Sequence, residues 1–183
     1  IEKSKIKNVK EINYIDPLNI NDIAEAINSA ERPILYVGQG CNNYSDILTA
    51  FIERTNIPIT TTLHAMGVFD ETHPLALKMV GMHGSVYSNL SIQESDCIIA
   101  LGSRFDDRTT GEISKYAPKA RKNNKIIHVN IDQPEIGKII KSNYNVLADC
   151  GDFLHTIFPL IHYKPRKEWL HYIDTLKLNH PFK

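Results

Sequence analysis

A chain of 183 residues with 21 basic and 21 acidic side chains has a formal net charge of zero, which gives no electrostatic case for nucleic acid or an anionic membrane. No apolar run approaches the roughly 20 residues that a membrane-spanning helix needs. Three widely separated cysteines, Cys41, Cys97 and Cys150, form neither a CxxC pair nor a metal-ligand spacing, which fits a reducing compartment. The length suits one large domain with tails. The chain starts at Ile1 without a signal-peptide pattern and reads as a fragment of a longer protein.

In chain order, the lysine-rich stretch to residue 18 reads as a linker or edge segment, and residues 19–163 as the domain proper. Asn19 or Asn21 can cap a helix reaching about Ala30, with Ile23, Ala26, Ile27 and Ala30 on one face. Pro33 to Val37 is a buried strand, followed by Gly38-Gln39-Gly40, and a helix runs from Ser45 to Thr55. Pro58 to Leu63 is a second, β-branched strand. The stretch from His64 to Met82 reads as a long loop, of a length that usually binds or covers something. A helix from Gly84 to Glu94 leads into a third strand, Cys97 to Leu101, in which Cys97 reads as a small core residue.

Beyond a polar, briefly helical stretch (Gly111 to Lys122), Lys125 to Ile131 is the fourth strand. Pro134 to Lys138 opens a short helix, Asn145 to Leu147 is a fifth strand, and a helix spans Asp152 to Ile161. The tail from residue 164, with Trp169, Tyr172, Ile173 and Leu176, reads as an amphipathic linker helix leaving the domain with an exposed apolar face. Strands alternating with helices in this way specify an α/β fold, a three-layer, doubly wound, Rossmann-like parallel sheet.

Such folds bind ligands beyond the carboxyl ends of their strands, and those ends carry the chemistry here. The run Cys97-Ile98-Ile99-Ala100-Leu101 stops at Gly102-Ser103 and then releases Arg104, Asp106, Asp107 and Arg108 within five positions. These can hold a phosphate, orient a ribose, or neutralise one another in salt bridges, the arginines offsetting the aspartates. Gly38 and Gly40 lack side chains that would keep a backbone from a pyrophosphate, although GxG alone equally suits a tight turn. Thr62-Leu63 offers a hydroxyl and backbone groups, and Gly81-Met82-His83-Gly84 can lie flat against a planar ligand. Asn130, Asp132 and Asp149 are candidates for ribose hydroxyls. No GxSxG, HExxH, P-loop or catalytic triad is present. The residues by themselves lead to a nucleotide or dinucleotide binding module.

The segments Thr61 to Pro74, Leu77 to Asp96 and Ala100 to Gly111 resemble the central domain of the acetolactate synthase (acetohydroxyacid synthase) catalytic subunits, and Arg32 to Gly40 and His128 to Lys138 continue the likeness in order. GMHG followed by RFDDR at this spacing carries it most specifically. The resemblance implies FAD extended across the strand ends. It would contact Gly38, Gln39, Gly40, Asn43, Thr62, Leu63, Gly81, Met82, His83, Gly102, Ser103, Arg104, Asp106, Arg108, Asn130, Ile131, Asp149 and Cys150. It further implies that Met82, Asp107 and Arg108 line a substrate channel, with Arg108 binding the carboxylate of the second 2-oxo acid, a task that suits a planar guanidinium.

Against the family pattern, Asn130 replaces an acidic residue, Ala148 a glycine, and Gln39 a smaller residue. By the same resemblance the whole enzyme is a carboligase (a transferase) that condenses pyruvate with pyruvate or 2-oxobutyrate, with loss of CO2, in branched-chain amino-acid biosynthesis. Thiamine diphosphate and magnesium would be held by amino- and carboxy-terminal domains outside these 183 residues. No catalytic or metal-binding residue is then expected within the chain, and the chain alone is expected to be inactive. A homodimer or higher homo-oligomer with a regulatory small subunit is implied, cytoplasmic in a bacterium and mitochondrial or plastid in a eukaryote. Two alternatives stay open: the nucleotide-binding domain of another thiamine-diphosphate oxidase or decarboxylase, and a ligand-free scaffold domain.

Overall fold

The computed structural model describes residues 17–182, so most of the segment read as an amino-terminal linker lies outside the described residues. The first helix, α1, spans Pro17–Ser29 and starts earlier than the asparagines suggested. Proline is at ease in a first helical turn because its missing N–H would have had no partner there. Asn19 and Asn21 therefore lie within the helix rather than capping it, and Asn19 donates to the Asn145 carbonyl at 3.5 Å. There follow β1 (Pro33–Val37), α2 (Ser45–Thr55), β2 (Ile59–Thr61), β3 (Ala76–Met79), α3 (Val86–Glu94), β4 (Cys97–Leu101), α4 (Asp107–Thr110) and α5 (Pro118–Lys122). The chain continues through β5 (Ile126–Asn130), β6 (Tyr144–Leu147), α6 (Cys150–Ile157) and α7 (Lys167–Asn179).

All strand pairings are parallel, and the six-stranded sheet has the order β3-β2-β1-β4-β5-β6. This is the doubly wound order, built outward in both directions from β1. Every residue of β1, β4 and β5 is buried, as expected where both sheet faces are covered. Alternate residues serve the two faces: Leu35, Val37, Ile99 and Leu101 join the core under α1, α2 and α6, whereas Ile34, Tyr36, Ile98 and Ala100 join the one under α3, α5 and α7. Cys97 is fully buried, and burial pushes its thiol up to about 12, the behaviour of a small core residue.

Other expectations change along the chain. The stretch from His64 to Met82 contains an edge strand, β3, paired to β2 with a register irregularity. Its Lys78 sits at φ 63, so a bulge interrupts the alternation that would have marked the strand. The helices expected at Pro134 to Lys138 and beyond Ile157 are 3-10 turns over Gln133–Glu135 and Phe158–Leu160.

The tail does not leave the domain. Trp169, Ile173 and Leu176 of α7 are buried in the second core. The Trp169 indole N–H donates to the Pro33 carbonyl at 3.0 Å, and the Arg32 guanidinium lies over Trp169 and Tyr172 at 5.9 and 5.8 Å. The apolar stripe of α7 thus covers the sheet face that would otherwise expose Ile34 and Tyr36.

Candidate functional site

β1 and β4 are adjacent in the sheet, but the chain leaves them toward opposite faces, to α2 on one side and α5 on the other. Divergence of the two exits opens a crevice at the strand ends. Its floor is an interlock of two glycine turns. Gly38 N–H donates to the Leu101 carbonyl at 2.8 Å and Gly40 N–H to the Gly102 carbonyl at 3.3 Å. A Cβ on Gly38 would stand 2.2 Å from the Gly102 oxygen, and Gly102 itself holds φ +59. Gly38 and Gly40 are therefore required by the contact between the turns. Their N–H groups are engaged in it, so the tight turn is one reason for these glycines, and both also line the cavity above.

The charged turn above this floor is pinned from beneath. Phe105 is fully buried and holds φ 52, an unfavourable region for a bulky side chain. Its ring packs against Tyr36 (5.1 Å), Tyr116 (5.9 Å) and His128 (5.1 Å). Burial pushes the Tyr36 phenol up to about 12. Packing of this large ring offsets the backbone cost, and the neighbouring Arg104 and Asp106 line the cavity above it.

The expected mutual neutralisation of arginines and aspartates does not occur. Among the described residues no ion pair joins Arg104, Asp106, Asp107 and Arg108. Asp106 instead caps α4, accepting from Thr109 N–H at 3.0 Å and from the Thr109 hydroxyl at 2.9 Å. Asp107 accepts from Arg108 N–H at 3.0 Å.

The Ser103 carbonyl takes two donors from β5. His128 Nε2 lies 2.8 Å away and Asn130 Nδ2 donates at 3.1 Å. Gly137 N–H donates to His128 Nδ1 at 3.3 Å, so the network assigns a neutral ring with its proton on Nε2. Burial, opposed by the Ser103 bond, holds the His128 pKa below its usual value. Asn130 Oδ1 accepts from Asp132 N–H at 3.0 Å. An aspartate at position 130 could accept that bond but could not donate to Ser103, which gives the amide a structural reason here.

On the far wall Asp149 caps α6 by accepting from Gly151 N–H at 2.8 Å. The interaction with Asp149, and then desolvation, push the Tyr44 phenol up to about 12. Glu135 pairs with Lys138 at 2.8 Å. Together these elements enclose a cavity of about 410 Å³, lined by Gly38, Gln39, Gly40, Thr62, His64, Gly102, Ser103, Arg104, Asp106, Asn130, Ile131, Asp132, Glu135, Asp149 and Cys150. The Ser103 hydroxyl is buried in this wall without a protein partner among the described residues.

Most residues singled out in the sequence thus meet in one crevice. Leu63, Gly81, Met82, His83, Asp107 and Arg108 do not line it, nor does Asn43, which is exposed in the turn after Cys41. The first six form a rim beside the cavity. Met82 N–H donates to the Arg108 carbonyl at 2.9 Å, while the Met82 and Leu63 side chains are 74% and 63% exposed. His64 and Glu135 line the cavity without having been anticipated. Glu135 lies two residues past Gln133 in a 3-10 turn that folds it back toward the strand end, and spacing from Asp132 was its only signal.

Residues 20–157 match the family model described as thiamine pyrophosphate enzyme, central domain. The chain belongs to that family. The chain is 41% identical over 176 residues to the mitochondrial acetolactate synthase catalytic subunit of Saccharomyces cerevisiae, covering 90% of this chain and 25% of that protein. It is 41% identical over 163 residues to the large subunit of acetolactate synthase isozyme 1 from Escherichia coli, covering 89% and 28%. It is 44% identical over 130 residues to the probable chloroplastic acetolactate synthase 2 of Oryza sativa subsp. japonica, covering 71% and 19%. The chain spans about a quarter of the length of these relatives. Among the described residues no helix is long and apolar enough to cross a membrane.

Proposed function

We propose that this chain is the FAD-binding central domain of an acetolactate synthase catalytic subunit, an enzyme that condenses two 2-oxo acids with loss of CO2. The observation that carries the reading is the crevice at the β1/β4 switch point, sized and lined for part of a dinucleotide. Its donor and acceptor set fits. Arg104 offers a cation for a diphosphate, the unpartnered Ser103 hydroxyl a further donor, and Asp132 and Asp149 offer acceptors for ribose hydroxyls. Exposed Met82 and Leu63 beside the cavity suit the face of a flavin ring, and Gly81 and His83 adjoin them.

Arg108 is exposed on this rim. In this reading it binds the carboxylate of the second oxo acid, with Met82 and Asp107 beside it in the substrate channel. Thiamine diphosphate with Mg2+, held by other parts of the whole enzyme, supplies the carbanion chemistry. This domain's task is to bind and orient. A homo-oligomer with a regulatory small subunit belongs to the same proposal. The location follows the source: the relatives are named mitochondrial and chloroplastic or come from Escherichia coli.

The test is FAD titration into the full-length protein, following flavin fluorescence quenching, which saturates with site occupancy, together with the melting temperature, which a ligand of the folded state raises with its concentration. Arg104→Ala is expected to weaken binding about 10- to 150-fold, the loss of a charge-assisted contact worth about 1.5–3 kcal/mol. Saturable binding unaffected by Arg104→Ala, or absent altogether, overturns the assignment of the cleft. Flavin that bleaches during turnover with pyruvate would point instead to a redox enzyme of the same family.

A further inference from the structure

Cys41 and Cys150 are far apart in the chain and meet at the floor of the crevice. Cys41 ends the 3-10 turn after β1, and its thiol donates to the Leu101 carbonyl at 3.7 Å. Cys150 opens α6. The Cys150 Sγ lies 3.5 Å from the place a Cβ on Gly40 would occupy and 3.1 Å from that of one on Gly102. Both thiols therefore flank the crossing of the two glycine turns, Cys41 from the Leu101 side and Cys150 from the Gly40 and Gly102 side. A hydrogen bond with Cys150, and then burial, push the Cys41 thiol well above its ordinary value. Access differs between them: Cys41 is fully buried, whereas Cys150 is 3% exposed and lines the cavity. Cys97 is fully buried at the opposite end of β4.

We propose that Cys41 and Cys150 form an oxidisable dithiol, a modification site that a peroxide converts to a disulfide, and that a nucleotide in the crevice shields. Cys150, the thiol that borders the cavity, attacks one peroxide oxygen. The O–O bond breaks and the departing hydroxide takes the thiol proton as water, leaving a sulfenic acid. Cys41 Sγ then attacks that sulfur. The S–O bond breaks, a second water leaves with the Cys41 proton, and the S–S bond forms. Two electrons from the two thiols have reduced one peroxide to two waters. The new bond ties the turn after β1 to the start of α6 across the Gly40–Gly102 crossing. Shielding rests on the nucleotide reading of the crevice; the disulfide does not.

The experiment treats the full-length protein with hydrogen peroxide, alkylates the remaining thiols under denaturing conditions, and maps the digest by mass spectrometry. The expected product is a Cys41 peptide joined to a Cys150 peptide, lighter by two hydrogens than the pair, with Cys97 still alkylatable. Cys41→Ser should leave a Cys150 sulfenic acid that dimedone traps, and Cys150→Ser should leave Cys41 untouched. Each variant supplies a test should the other fail to fold. Free Cys41 and Cys150, or separate over-oxidised thiols without a cross-link, would overturn the dithiol. FAD at about ten times its dissociation constant should slow the cross-link about tenfold by mass action. An unchanged rate despite measured binding overturns the shielding. A cross-link without any FAD binding leaves the dithiol standing and rejects the nucleotide reading.

Discussion

The crevice and the rim beside it carry residues of similar kinds, yet they are built in opposite ways. The crevice is held from within: its glycine turns bond to each other, Phe105 anchors the charged turn, and two side chains of β5 fix the Ser103 carbonyl. The rim presents Leu63, Met82 and Arg108 to solvent, and Met82 is tied to the charged turn through backbone atoms, from its N–H to the Arg108 carbonyl. The difference teaches where mutations should be felt as stability and where only as function.

Phe105→Ala should break the comparison most forcefully. It empties a fully buried position and keeps the unfavourable φ, so unfolding free energy should fall by about 3 kcal/mol or more. Denaturant titration measures this, and a change near zero would mean that the charged turn is not anchored from below. Asn130→Asp should follow. It removes the donor to Ser103 and faces a carboxylate toward a carbonyl, at about 1–3 kcal/mol. A stability equal to that of the parent would contradict the bonding assigned to the amide.

A smaller effect is expected from pH. Because the folded state depresses the His128 pKa, the unfolded chain binds the extra proton first. The histidine's contribution is complete above its unfolded pKa of about 6.5 and is lost as pH falls through the folded value. Stability should therefore decline below about pH 6.5, and His128→Gln should flatten that slope. An equal slope in the variant would place the pH dependence elsewhere. At the small end, Met82→Ala on the rim should stay within about 0.5 kcal/mol of the parent in stability. It should nevertheless weaken FAD or alter catalysis in the full-length protein, and a large destabilisation would show that the rim is structural.

The fold class could be read from the chain because β1, β4 and β5 are short, fully apolar runs, the form that double burial imposes. β3 escaped notice because it is an edge strand bent at Lys78, without alternation. The stripe of α7 was visible, but periodicity reports that a face is apolar, not what will cover it, so the docking of Trp169 onto Pro33 could not be foreseen. In the site, strand-end positions picked out most of the crevice. What sequence could not supply was the allocation of hydrogen bonds: Asp106 spent as a helix cap, the N–H groups of Gly38 and Gly40 spent on β4 and its turn, and Asn130 acting as a donor. The glycine and Asn130 bonds depend on partners far away in the chain, and the Asp106 cap on a local turn, closed by Thr109, whose start periodicity does not mark.

The most direct measurement is a crystal structure of the full-length protein with FAD bound. The account predicts the diphosphate beside Arg104 and Ser103, a ribose at the Asn130 to Asp132 or Asp149 side of the crevice, and the flavin toward Met82. FAD bound away from the β1/β4 crevice, or an occupied crevice in which Arg104 and Ser103 make no contact with it, would contradict the account.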